Sequence, residues 1–143
     1  MRNRLLGTLM LVLASCAGRD APQLFTADPP NAVRIADLTW RLGADENVRA
    51  REVRSGTSSS ISIVQIRDRE PPHVHGRYDL TVTLVRGSGT LWLNGTALPM
   101  HAGDVAFIPK GAPHYFVNDG AEPAAALVVF APPFSGPDQQ PIP

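Results

Sequence analysis

Three of the four histidines in this chain fall in two short segments whose spacing suits metal chemistry. His73 and His75 flank Val74, directly after Pro71-Pro72. On an extended strand, residues i and i+2 point to the same face, so both imidazoles project into one space. The two prolines fix how the backbone approaches that space. His114 follows a turn built from Pro109, Gly111 and Pro113 and opens an apolar stretch, His114 to Val117. Three neutral imidazoles on one face suit Fe(II), Mn(II), Ni(II), Cu(II) or Zn(II), and their number does not choose among these divalent ions. His101, in Pro99-Met100-His101-Ala102-Gly103, reads as an exposed turn residue and not a ligand. Gly87-Ser88-Gly89 reads as a strand turn; with no helix after it, it is no phosphate loop. No Ser-His-acid arrangement is legible.

The elements that must position these side chains are strands. Ser60 to Arg67 is β-branched, Leu80 to Val85 and Thr90 to Asn94 alternate, and Asn94-Gly95 is a hairpin signal. Val48 to Val53, Leu98, Val105 to Ile108, His114 to Val117 and Ala125 to Phe130 complete a set of short strands about ten residues apart. Such spacing, with 14 prolines and 12 glycines and no long helical pattern, predicts an all-β sandwich or small barrel. Gln65, Tyr78, Trp92 and Tyr115 are candidates to line its interior and orient a small molecule.

At 143 residues, 43% of them hydrophobic and 18% charged, the chain has room for one domain with a buried core. Its formal charge is zero and no basic stripe is visible, which argues against nucleic acid as a partner. Arg2 and Arg4 precede an apolar run from Leu5 to Leu13, too short to span a bilayer and of signal-peptide form. Leu13-Ala14-Ser15-Cys16 resembles the bacterial lipobox, and Cys16 is the single cysteine, without an internal disulfide partner. The resemblance implies lipidation at Cys16 and a membrane-anchored protein of the cell envelope facing the periplasm. Ala17 in place of Asp favours the outer membrane of a Gram-negative cell. The expected organisation is a signal over 1–15, a polar tether over 16–32, a domain over 33–134 and an extended external tail over 135–143. Val33 to Leu42 alternates loosely and is a candidate to pair with a sheet edge or to join two copies in a homodimer.

The turn before His114 carries a family resemblance. Gly103, Pro109, Gly111, His114 and Asn118 stand at every spacing of the second cupin motif, and His73, His75 and Gly87 match the ends of the first. Over roughly residues 48 to 132 the chain is similar to single-domain cupins, which implies an all-β, double-stranded β-helix (jelly-roll) barrel. The first cupin motif also carries a Glu seven residues before its closing Gly; here that position is Leu80. Asp79 stands beside it, four residues after His75, a spacing that some cupins use. Adjacent strand residues face opposite sides, so either Asp79 joins His73, His75 and His114 or Leu80 leaves a three-histidine site.

The resemblance implies a metal-dependent enzyme on a small organic molecule, most directly an oxidoreductase of dioxygenase type. The alternative is a non-catalytic module that holds a metal or small ligand at the envelope. A third reading is a metal-free barrel. The fold itself does not choose, because cupins host many functions.

Overall fold

The computed structural model describes residues 22–27, 30–39 and 41–142. The signal segment and Cys16 therefore lie outside the described residues. Strand β1 (Gln23–Ala27) pairs with β2 (Pro30–Arg34), and a single turn of helix, α1 (Ile35–Leu38), follows. Then come β3 (Val48–Ser55), β4 (Ser60–Ile66), β5 (His73–His75), β6 (Asp79–Arg86), β7 (Ser88–Leu93) and β8 (Thr96–His101). The chain continues through β9 (Val105–Ile108), β10 (His114–Asn118), β11 (Ala124–Ala131) and β12 (Gln139–Pro141).

The strands form two antiparallel five-stranded sheets, ordered β12-β5-β10-β7-β8 and β3-β4-β11-β6-β9. The all-β expectation holds, and this is the double-stranded β-helix. Chain-local turns set the register. Asn94 and Gly95 both take positive φ, at 50° and 79°, the backbone that a two-residue hairpin between β7 and β8 demands.

Alternation puts Ile66, Leu84, Leu91, Ile108, Phe116, Val128 and Phe130 between the sheets, where they form one buried cluster with Leu80 and Tyr78. Burial of such side chains contributes roughly 1.5–3 kcal/mol each. Gly89 is buried against this cluster because nothing larger fits. A Cβ there would stand 2.3 Å from both the Phe116 ring and the Val117 carbonyl oxygen.

Val33 to Leu42 does not extend either main sheet at an edge. Its residues Leu38 and Thr39, together with Gly43 and Ala44, are held by arginine side chains of β3, β6 and the turn after β4 instead. Arg51 donates to the Leu38 carbonyl, Arg67 to those of Gly43 and Ala44, and Arg86 to the Thr39 hydroxyl. Arg51 and Arg67 thereby satisfy backbone carbonyls that have no strand partner, and Arg86 holds a side-chain hydroxyl.

The 135–142 segment also departs from expectation, because it enters a sheet instead of lying outside. β12 pairs with β5, matching Gln139 with His75 and Pro141 with His73. Arg77 donates to the Gly136 carbonyl, and the Tyr78 hydroxyl accepts from the Ser135 amide at 2.9 Å.

Candidate metal centre

The sheet register gathers the three histidines. β10 pairs with β5 so that His114 lies directly opposite His73, and opposed residues share a face. His75, two positions along from His73, shares that face too. All three side chains are buried, their ring centroids are 4.4–5.4 Å apart, and one nitrogen from each lies within 4.8 Å of the others.

Each ring is fixed through Nδ1. His73 donates to the Pro71 carbonyl at 2.7 Å, His114 to the Ala112 carbonyl at 2.9 Å, and His75 to the Asp138 carboxylate at 2.7 Å. These acceptors have no proton to give, so the proton of each neutral ring sits on Nδ1 and the Nε2 lone pair is left for the cluster. Holding a ring by its far nitrogen is how metal-binding histidines are oriented.

Burial favours the neutral form of His114 and His75. Burial pushes His114 down to about 4, with the other two histidines adding to the shift. His75 is also lowered by burial, although its bond to Asp138 opposes this. For Asp138, burial works to raise its value, but the bonds from His75 and the Arg77 amide outweigh it and hold the carboxyl below its ordinary range.

The turn residues ahead of His114 have assignable work. Gly111, at φ 79°, donates its amide to the His75 carbonyl at 2.7 Å and so docks the turn on β5. At the far end of β10, the Asn118 amide donates to the carbonyls of Arg67, Gly120 and Glu122 and ties down the loop into β11.

The fourth position is resolved against Asp79. Leu80 is buried and lines the cavity, whereas Asp79 accepts from the Lys110 amide at 2.9 Å and braces the turn before His114. Adjacent strand residues cannot both face inward, and an apolar barrel takes the leucine. Among the His, Cys, Asp and Glu side chains of the described residues, the group that could hold an ion is His73, His75 and His114.

None of the four expected substrate contacts lines the cavity. Gln65 alternates with Val64 and Ile66, which do, so it turns to the opposite face of β4, where it is buried. Tyr78 is in the core, and its hydroxyl is committed to Ser135 and Gly136. Trp92 and Tyr115 alternate with Leu91 and Phe116 and therefore face outward, stacked at 5.9 Å with 7° between planes, beneath Arg69. His101 is exposed, as expected.

The cavity that the histidines face measures about 110 Å³ and is lined by Val48, Val64, Leu80, Leu84, Ile108, Phe116 and other apolar side chains. Two polar residues that sequence reasoning missed share it, Glu70 and Gln139. Glu70 accepts from the Phe116 amide at 3.0 Å, and burial raises its carboxyl despite the neighbouring His73 and that amide. Gln139 places its side-chain amide 3.2 Å from His73 Nε2.

Comparison with known proteins agrees with this architecture. A family model described as "Cupin domain" matches residues 60–130. An uncharacterized protein of Aquifex aeolicus is 37% identical over 98 residues, which cover 68% of this chain and 80% of the relative. The crystal structure of TT1209 from Thermus thermophilus superposes with a TM-score of 0.62 at 24% identity, covering 70% of this chain and 95% of that one. The polyketide cyclase RemF from Streptomyces resistomycificus gives 0.58 at 22% identity, covering 72% and 76%. At these identities the two structures speak to the fold.

Proposed function

This chain belongs to the cupin family, and from that premise we propose that His73, His75 and His114 hold a divalent metal ion at which a small organic molecule is oxidised in a dioxygenase-like reaction. The observation that carries the metal reading is the common tautomer. Three Nδ1 protons are committed to outward acceptors, and three Nε2 lone pairs converge in an apolar cavity where a bound cation would satisfy them. When bound, such an ion supplies Lewis acidity and open positions for a small molecule and an oxidant.

The chain's own residues do the remainder. The aliphatic lining excludes water and favours the apolar body of a compact molecule, since 110 Å³ approaches the ~150 Å³ that admits a benzene-sized guest. Glu70 is a carboxyl in that cavity whose raised value suits it to hold a proton close to His73. It provides an acid–base group that the sequence reading did not find. Similarity to RemF, a cyclase by name, is consistent with an enzyme in this fold without specifying the reaction.

The envelope location belongs to the same proposal, resting on the signal-like N-terminus and the lipobox-like Leu13-Ala14-Ser15-Cys16. A non-catalytic ligand-binding module is the second reading, favoured by the absence of a carboxylate from the ligand group among the described residues.

Elemental analysis of the purified protein tests the metal. About one equivalent of ion, lost in His114→Ala with the β-sheet spectrum intact, is expected; no uptake on reconstitution refutes it. Oxygen consumption over a panel of small apolar phenols, thiols and diketones separates the readings, because a binding module takes up metal and consumes none. Cys16→Ser should move the protein from the membrane to the soluble fraction.

A further inference from the structure

We infer that Gln139, carried on the C-terminal strand, is the fourth protein group of the metal centre, taking the role that Leu80 leaves vacant on β6. The inference rests on the metal reading above and extends it to a residue outside both family motifs.

Three observations carry it. Gln139 lies directly opposite His75 in the β12–β5 pairing, so its side chain projects on the same face as His73 and His75. It lines the cavity together with the three histidines. Its amide nitrogen is 3.2 Å from His73 Nε2, the lone pair that a metal would use. Two donors on one ion with bonds near 2.1 Å stand about 3.0 Å apart in an octahedral array and about 3.4 Å apart in a tetrahedral one. The observed separation falls between those figures.

The chemistry is balanced without any new species. Now the amide N–H donates to the imidazole lone pair, the role a neutral donor can play only while no cation occupies that position. A half turn about the terminal side-chain torsion, which is soft and roughly two-fold, exchanges nitrogen for oxygen. The carbonyl oxygen then faces the ion as a neutral ligand. No proton moves.

The strand bearing Gln139 is held tightly enough to be a ligand platform. Asp138, its neighbour, accepts from both His75 Nδ1 and the Arg77 amide, while Arg77 and Tyr78 bind the backbone of Ser135 to Pro137. Leu80 and the outward Asp79 offer no donor at the corresponding place on β6.

Cobalt(II) titration of the purified protein, followed by its visible ligand-field bands and by competition with a chelator, tests this. Gln139→Glu, which adds a charged oxygen donor at the same reach, should bind cobalt about ten-fold tighter with shifted bands. Gln139→Ala should bind more weakly, also with altered bands. Gln140→Ala, on the same strand but paired with Val74, should match the unaltered protein. If both Gln139 variants keep the parental affinity and bands while His114→Ala loses the ion, the inference is overturned and the three-histidine centre stands. A Gln140→Ala loss equal to that of Gln139→Ala also overturns it, since strand docking would then be the cause. Failure of the unaltered protein to take up cobalt removes the metal reading and this inference together.

Discussion

The imidazole of His75 and the carboxylate of Asp138 meet at 2.7 Å across 63 positions of sequence, and both side chains are almost closed to solvent, at 7% and 5% exposure. The carboxylate fixes which nitrogen of His75 carries the proton and makes the opposite nitrogen a better donor to a cation.

Removing that carboxylate should therefore be felt at the metal. Asp138→Ala is expected to lower metal affinity roughly 10- to 100-fold, with Asp138→Asn milder because its amide oxygen still accepts. Isothermal titration of the metal-free variants checks this. Affinity unchanged in Asp138→Ala would mean that His75 needs no partner.

Acid should destabilise the metal-free protein. An unfolded histidine titrates near 6.5, but buried His114 titrates at about 4, so between those values the unfolded chain holds more protons. Stability from this residue is full above pH 6.5 and is lost as pH falls through about 4, by at most about 3 kcal/mol. His75 acts in the same direction, whereas Glu70, raised by burial, acts in the opposite one. Urea midpoints measured at pH 7.5, 5.5 and 4.5 should decline in that order. A flat profile would contradict the buried-neutral assignment.

Exchanging the roles of residues 79 and 80 should separate turn bracing from cavity lining. Asp79→Ala removes one exposed bond to the Lys110 amide, is expected to cost about 1 kcal/mol, and should leave metal content intact. Leu80→Glu places a carboxyl group in an apolar cavity and should destabilise the metal-free form by at least about 1–3 kcal/mol even when that group is neutral, lowering its melting temperature. Added metal should restore more of that loss than it adds to the parent. Differential scanning calorimetry with and without metal reads both effects.

Gly89→Ala should destabilise without touching the centre directly. The new methyl would collide with the Val117 carbonyl, which is ladder backbone and cannot swing aside, at a cost of about 1–3 kcal/mol. Thermal denaturation measures it; a melting temperature within a degree of the parent would show that β7 relaxes freely.

The three histidines were legible because their positions obey local rules: a two-residue repeat on one strand and a proline-glycine turn ahead of another. Fold class was legible for the same reason, from alternation and hairpin signals such as Asn94-Gly95. Asp138 and Gln139 were not, since nothing in a proline-rich stretch announces that it will join a sheet next to His73–His75. Glu70 was hidden inside a charged turn, where its neighbours Arg67, Asp68 and Arg69 made it look like one more solvated residue. Trp92, Tyr115 and Gln65 were misplaced because facing depends on strand phase, and a single step of register sends a side chain from the cavity to the opposite face of its sheet. Tyr78 stands in the turn ahead of β6, and its ring packs on Phe130 in the core.

The attachment of β12 to β5 sets an order of assembly. During synthesis, the three histidines and both sheets up to Ala131 leave the ribosome before the residues that clamp the centre. A barrel can thus close first, with its imidazoles on one wall, and acquire the His75 anchor and the Gln139 amide only when the last stretch threads back along His73–His75. Proteolytic clipping after Phe134 would undo that last step by removing Asp138 and Gln139 from the candidate centre.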